Sequence, residues 1–460
     1  MKIVVNKIVE LCSGKLLCGD GNVILKKLVI DTRELECGDT FVGIKGENYN
    51  GNDFLYEAVE KGANCVILDE NKDITDIRIP VILVSDSSKA LGIIASYIRN
   101  NSDSIFIGVT GSVGKTSTRD MIYSVLKESH PTLKTENNYN NNIGLPLTIS
   151  KLKDERFAVI EMGMNHLGEI SYLSNIVKPN IGVITNVGTA HIGILGSREN
   201  ILKAKLEILD GMDDSSTLII NNDNDLLHDY YLNNNDNKKN IITIGIDNDS
   251  DYKAININEN DNNSEFDVVF KNQTIHILCP IPGRAYIYNS LCAIAVGSIL
   301  SIDNNKIIDG IKNIHLTKNR LEFINLKNNI KIINGIYNAS VDSMKASIEV
   351  LKNQTCNRKI AVLGDMLELG CYSKELHQGI GRFVYENNID VLITVGRDSS
   401  YISSEAIKCG MNKNNVYTLS NNNDAISILN NIMLPGDAIL LKASNGLHFK
   451  EILNEIIKGS

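Results

Sequence analysis

The 460-residue chain contains no tryptophan, and only 5% of it is aromatic. Its cores must therefore be built from Ile, Leu, Val and Ala, which the 43% hydrophobic content supplies. A basic excess is lacking too: the net charge is −9 and the pI near 5.5. That excludes nucleic acid as the main partner, because gripping a phosphate backbone needs a positive surface. A phosphorylated small molecule is not excluded, since a few N–H groups and one lysine can hold it. The nine scattered cysteines form no C-x-x-C pair. This argues against a zinc site or disulfide framework and fits free thiols in a reducing compartment. No apolar run approaches the roughly 18 residues of a membrane span. Lys2, Lys7, Glu10 and Lys15 break up the N-terminal segment, and no cleavage motif follows. The expectation is a soluble, cytoplasmic, monomeric protein without membrane insertion.

What is present alternates. Domains commonly run to about 100–200 residues, so roughly three are expected. Short β-type runs at Leu28–Ile30 and Thr40–Ile44 precede a helix ended by Gly62 and then a strand. The polar stretch Ser96–Ser104 reads as a domain boundary. Beyond it, strands are expected at IFIGVT, FAVIEM, IGVITNV and STLIIN, with helices over Lys115–Glu128 and Asn289–Leu300. From about 317 the alternation restarts, with strands at IKIIN, KIAVLG, VLITVG and AILLKA. Strands separated by helices imply a mostly parallel sheet covered on both faces. The Asn-rich stretches 233–240, 258–263 and 421–423 read as surface loops. The expected fold is α/β in three domains: a smaller N-terminal α/β domain over 1–98, a central P-loop domain with a mostly parallel sheet over 99–316, and a Rossmann-like C-terminal α/β domain over 317–460.

The strongest local signal is IFIGVTGSVGKTSTRDM. A strand leads into Thr110-Gly111-Ser112-Val113-Gly114-Lys115-Thr116-Ser117, which opens a helix. Glycines let successive N–H groups turn inward toward phosphate oxygens, and the helix N-terminus adds partial positive charge. Lys115 would reach the β- and γ-phosphates, and the Thr116 hydroxyl would ligate Mg²⁺. Gly108, Gly111 and Gly114 are evenly spaced by three, which is not the dinucleotide pattern G-x-G-x-x-G. Glu161 ends the next apolar strand, where a P-loop site wants a metal ligand. His191 falls just past a later strand, at the sheet end where ligands bind in such folds.

Together with IDTRELECGDTFVGIKGENYNG, NYNNNIGLPLTI, VIEMGMNHLGEI, ITNVGTAHIG, KAKLEIL, VLGDMLELG and YNASVDSM, this segment resembles the Mur ligases over essentially the whole chain. The resemblance implies an ATP-dependent amide ligase of cell-wall synthesis. ATP would convert a substrate carboxylate into an acyl phosphate, which an amine attacks. The implied small-molecule substrates are a UDP-muramoyl tripeptide and D-alanyl-D-alanine. The implied cofactors are ATP and Mg²⁺. Lys115 and Thr116 would hold ATP and one Mg²⁺ with Glu161, and His191 would help hold a second. Lys205, on its own a residue of a solvated helix face, matches the family's carbamylated lysine, whose anionic carbamate can sit beside Mg²⁺. Thr32 and Arg33 match a nucleotide-sugar motif, and Asn138, Asn140 and Asn141 fall in a substrate-contacting loop. Asn289 matches an adenine contact, and Arg320 a junction arginine. Tyr337 and Asn338 begin a loop near ATP and the incoming dipeptide. Asp365 to Glu368 is a family signature with either a structural or a contact role, and His377 is expected to pack its helix.

The departures are concentrated. The family pattern D-D-x-Y-N-A-N-P-D-S-M appears here as Asn334-Gly335-Ile336-Tyr337-Asn338-Ala339-Ser340-Val341-Asp342-Ser343-Met344, without an acid at 335. K-G-S-R appears as Lys442-Ala443-Ser444-Asn445. His-Asn after Gly283-Arg284 appears as Ala285-Tyr286, and D-G-H as Asn50-Gly51-Asn52. Two alternatives follow: a ligase with another amine acceptor, and a nucleotide-binding homologue without turnover.

Overall fold

A computed structural model describes residues 3–234 and 240–459. Three sheets follow one another along the chain. The first has five short strands between residues 15 and 83, four of them parallel and Lys15–Cys18 antiparallel at one edge. The helix Ser87–Asn100 then leads to the second sheet. Its N-cap Asp86 accepts from Lys89 N, and it packs on the helices Gly144–Ser150 and Glu169–Val177. The polar stretch Ser96–Ser104, where a domain boundary is expected, is in its first half the last turn of this helix. Ile98 is buried in it, and Ser104 is buried beyond its end.

The second sheet has nine strands. From the far edge inward, Gln273–Cys279, Ser264–Phe270 and Tyr252–Glu259 form an antiparallel meander. Six parallel strands continue from it: Asn240–Gly245, Thr217–Asn221, Ile181–Ile184, Ile105–Thr110, Phe157–Glu161 and Thr132–Lys134. The helix Lys115–Lys127 covers one face with Met121, Ile122, Val125 and Leu126, all fully buried. Each such side chain contributes about 1.5–3 kcal/mol by leaving water. The helix Arg284–Ile299 packs beside it, starting five residues before the expected Asn289.

The meander corrects a sequence expectation: Asn258 lies in a strand, not a loop. Asn421 caps the helix Asn422–Ile432, so 421–423 is a helix start, favoured because Asn side chains accept from the first free N–H groups. Of the stretch 233–240, residues 235–239 lie outside the described residues.

The third sheet has six strands in the order Glu322–Asn325, Lys331–Asn334, Asp437–Lys442, Arg358–Gly364, Val391–Val395, Val416–Leu419. All pairs but the first are parallel. Among the described residues, no helix is long and apolar enough to cross a membrane.

Candidate active site

The strand Ile105–Thr110 lies between Phe157–Glu161 and Ile181–Ile184, so three strand ends deliver their following loops to one place. Thr110 is fully buried, and its hydroxyl donates to Met162 O at 3.0 Å, pinning the loop's start to the next strand. The loop then turns through Gly111 (φ 147°) and Gly114 (φ 83°). At 111 a Cβ would also collide with Thr185 Oγ1, so the turn requires glycine. Ser112 Oγ accepts from Gly188 N, Asn186 Oδ1 accepts from Val113 N, and Thr185 Oγ1 donates to Val113 O. The loop is therefore held in shape from the Thr185–Gly188 side, a support that motif spacing does not reveal. Lys115 Nζ folds back onto Gly111 O at 2.9 Å. Thr118 Oγ1 donates to Asn289 Oδ1 at 2.8 Å, placing Asn289 beside the loop.

This loop floors a cleft of about 770 Å³ whose opposite wall belongs to the third sheet's unit. Of the expected site residues, Ser112, Gly114, Lys115, Thr116, Ser117, Asn138, Asn140, Glu161, His191, Asn289, Arg320, Tyr337 and Asn338 line it. Thr110 and Gly111, at the loop's start, are outside the lining. Asn141 is outside the lining, its Oδ1 capping Ile143 N and Gly144 N. Thr32 and Arg33 are on the first sheet's unit, away from the cleft: Thr32 is buried, and exposed Arg33 is paired with Asp31.

The two walls touch directly. Gly193 N donates to Glu368 O at 3.0 Å, and Tyr372 Oη to Gly196 O at 2.7 Å. Asp342 packs so closely on Gly188 that a Cβ there would collide with its carboxylate. Arg320 Nη2 donates to Thr116 Oγ1 at 2.8 Å while its guanidinium stacks 3.6 Å from the Tyr337 ring centroid.

Positive charge collects in the cleft. Burial pushes the Lys115 amine below its usual range, opposed by Glu161 and helped by Arg320. Burial also pulls Lys442 down to about 7, again with Arg320 adding repulsion. Among the described residues, Lys442 Nζ donates to the carbonyls of Asn338 (3.0 Å) and Gly335 (3.3 Å) and to no carboxylate. Clustered buried cations of this kind are stabilised by a bound polyanion. His191 Nδ1 lies 2.6 Å from Glu368 Oε2, a charge contact without the angle of a formed hydrogen bond. Burial, partly opposed by Glu368, lowers its pKa and favours the neutral ring that a metal needs. Lys205 is 1% exposed, and among the described residues its Nζ has no hydrogen-bond partner. Burial and then Lys115 lower its pKa well below the usual lysine range. Lys205 is thus not on a solvated helix face. Its helix, Arg198–Leu206, turns that position inward.

The departures have local explanations. Ser340 caps the helix Val341–Lys352 in a capping box with Ser343, whose Oγ accepts from Ser340 N at 2.9 Å, so Ser340-Val341 still starts that helix properly. Tyr286 reaches across to Arg320 O. Asn52 is buried, donating to Asn50 and Asp69. Asp365 accepts from Ser399 N and Arg397 N, a structural role. His377 is buried and accepts from Met366 N, packing its helix as expected.

Three family models match: the Mur ligase family catalytic domain over 25–99, the Mur ligase middle domain over 109–297, and the Mur ligase glutamate ligase domain over 319–445. The UDP-N-acetylmuramoyl-tripeptide–D-alanyl-D-alanine ligase of Bacillus subtilis is 34% identical over 461 residues, covering 100% of this chain and 99% of that one. This chain belongs to the Mur ligase family. The enzyme of the same name from Escherichia coli is 32% identical over 88% of both chains. A crystal structure of MurF from Acinetobacter baumannii superposes with a TM-score of 0.90 at 28% identity, covering 100% of this chain and 99% of that one. MurF from Thermotoga maritima, solved with ADP, superposes with a TM-score of 0.83 at 26% identity over 94% and 97% of the two chains. The α/β architecture of this Mur ligase is therefore that of a three-sheet family, and members of the family are ATP-dependent amide ligases.

Mg²⁺ fits the residues present. Among the described residues no three His, Cys, Asp or Glu side chains gather as a metal cluster. Mg²⁺ does not demand one, because one or two carboxylates, phosphate oxygens and water commonly complete its shell. The Thr116 hydroxyl and Glu161 carboxylate, each 2% exposed at the cleft floor, supply the protein's oxygens. The buried Lys205 amine, outside the cleft lining and with no hydrogen-bond partner among the described residues, fits conversion to a carbamate.

Proposed function

We propose that this Mur ligase joins D-alanyl-D-alanine to a UDP-N-acetylmuramoyl tripeptide in peptidoglycan precursor synthesis, consuming ATP. The observation that carries the reading is the gathering of Lys115, Arg320 and Lys442 around a P-loop in a cleft closed by two units. The unit over 1–98 would grip the UDP-sugar peptide through Thr32 and Arg33, with Asn138, Asn140 and Asn141 extending the grip. The unit over 99–316 would hold ATP through Thr110, Gly111, Ser112, Gly114, Lys115, Thr116, Ser117 and Asn289. The unit over 317–460 would close on it with Arg320, Tyr337 and Asn338.

The γ-phosphoryl group passes to the tripeptide's carboxylate and ADP leaves. The amine attacks the resulting acyl phosphate and loses its proton, and the tetrahedral adduct expels phosphate, leaving an amide. Lys115 and the loop N–H groups hold the phosphate charge that develops. Thr116 and Glu161 would hold one Mg²⁺, His191 would help hold a second, and a carbamylated Lys205 would sit beside Mg²⁺, whose charge would offset that of the phosphate oxygens. Burial disfavours the charged Lys205 amine and so favours the neutral form that takes up CO₂.

A second reading changes only the amine. Gly335, Ser340 and Asn445 all line the cleft and all differ from the family pattern. Incubating the protein with ATP, Mg²⁺, the UDP-muramoyl tripeptide and a panel of amines, and weighing the product, separates the two. A pentapeptide product formed in preference from D-alanyl-D-alanine supports the first reading. Preference for another amine replaces it with the second.

A further inference from the structure

Arg119 is fully buried in the helix that the P-loop opens. Burying a guanidinium is costly unless its donors are all used, and here each nitrogen is engaged. Nη1 donates to Asn137 O at 3.1 Å and reaches Glu161 Oε2 at 3.4 Å. Nε and Nη2 share Asp120 Oδ1 at 3.2 and 2.8 Å. Nη2 also donates to Thr317 Oγ1 at 2.8 Å. Asp120 completes the unit: its Oδ2 accepts from Thr317 N at 2.9 Å and Thr317 Oγ1 at 2.8 Å, and its Oδ1 takes Lys134 Nζ at 2.9 Å.

The Arg119–Asp120 pair would satisfy charge balance by itself. The remaining arms lead to two distant places. One is Glu161, whose other oxygen accepts from Asn140 Nδ2 at 2.7 Å, so each carboxylate oxygen has its own holder. The other is Thr317, which begins the linker that carries Arg320 to Thr116. A planar, pre-shaped fork that cannot lose its charge suits such a link better than a flexible ammonium.

We propose that Arg119 is a positioning residue that ties the setting of the Glu161 carboxylate to the linker at Thr317, so that closure of the C-terminal unit and readiness of the Mg²⁺-nucleotide site are coupled. This rests on the reading above only in taking Glu161 as a group that faces Mg²⁺-nucleotide, not on the amide-forming step. Groups that hold a metal ligand in place are commonly worth about 10–100-fold in metal affinity or activity.

The test uses Arg119→Lys and Thr317→Val in the full chain. The first keeps the charge but loses the fork. The second removes only the hydroxyl that receives it, and it keeps the proposal falsifiable should the first not fold. Mg²⁺ is titrated into protein with ADP and followed by calorimetry, while amide hydrogen exchange of residues 313–321 is measured without ligand. With melting temperature preserved, both variants are expected to need roughly tenfold more Mg²⁺ for half-maximal ADP binding and to exchange faster across the linker. Faster linker exchange with an unchanged Mg²⁺ requirement in Thr317→Val would overturn the coupling. Protein that binds Mg²⁺-ADP but joins no substrates would sink the ligase reading and leave this inference standing on the titration.

Discussion

Arg320 donates to the hydroxyl of Thr116 at 2.8 Å, although the two lie 204 positions apart and on opposite walls of the cleft. The arginine is fixed from behind by stacking on Tyr337. It therefore stands where a closing unit can feel what the P-loop holds.

Arg320→Ala should lower kcat/KM for ATP by about 10- to 100-fold, the scale of one charged hydrogen bond of about 1.5–3 kcal/mol. Arg320→Lys should recover little of it, because an ammonium neither stacks on Tyr337 nor forks. Steady-state kinetics at saturating second substrates measures both. Full recovery by lysine would show that charge alone matters.

Lys205 should carry a carbamate. Carbon-13 NMR of protein in labelled bicarbonate should give a carbamate carbon signal that Lys205→Ala lacks. Activity should fall when bicarbonate and CO₂ are stripped and return on their addition. The physical ground is a buried amine with no hydrogen-bond partner among the described residues, whose pKa burial lowers well below the usual lysine range. A bicarbonate-independent enzyme would rule the carbamate out.

Lys442 sets a pH dependence of stability. Its amine titrates near 7 in the folded chain and near 10.5 when unfolded. Between those values the unfolded state binds more protons, so stability rises with pH across that window and the cost of burial is complete below 7. Lys442→Met should therefore be more stable than the parent at pH 7 and lose that advantage as pH approaches 10. Denaturant melts at several pH values measure it. A constant difference would show that Lys442 is not the titrating group.

Gly335→Asp should reverse the same effect. A Cβ at 335 stands in ordinary contact, 3.6 Å from Lys442 Nζ and 3.5 Å from Leu441 O. A carboxylate there gives the ammonium an anionic partner and raises its pKa. The variant should fold, and the pH slope assigned to Lys442 should flatten. An unchanged slope would mean that the carboxylate turns away.

The sequence shows what is local and hides what is assembled. The P-loop was legible because strand, turn and helix are contiguous, Glu161 because it ends an apolar strand, and His191 because it follows one. The meander over Tyr252–Cys279 was missed because Asn-rich composition outweighed a real alternation: Phe266, Val268 and Phe270 are buried while Glu265, Asp267 and Val269 are not. The partners of Arg119 and Lys442 were invisible because Thr317 and Gly335 come to them across 198 and 107 positions. Burial of Lys205 could not be read from a helix with mixed polarity. Only packing decides which lysine of Lys203 and Lys205 turns inward, and it is Lys205.

Phosphate release is the most direct test of ligase chemistry in this cleft. The protein is supplied with ATP, Mg²⁺ and the UDP-muramoyl tripeptide, with and without D-alanyl-D-alanine, alongside Lys115→Ala. Sustained release that needs both substrates, yields the pentapeptide and is lost in Lys115→Ala is the predicted result. ATP binding with no release under any combination of these substrates would contradict the account.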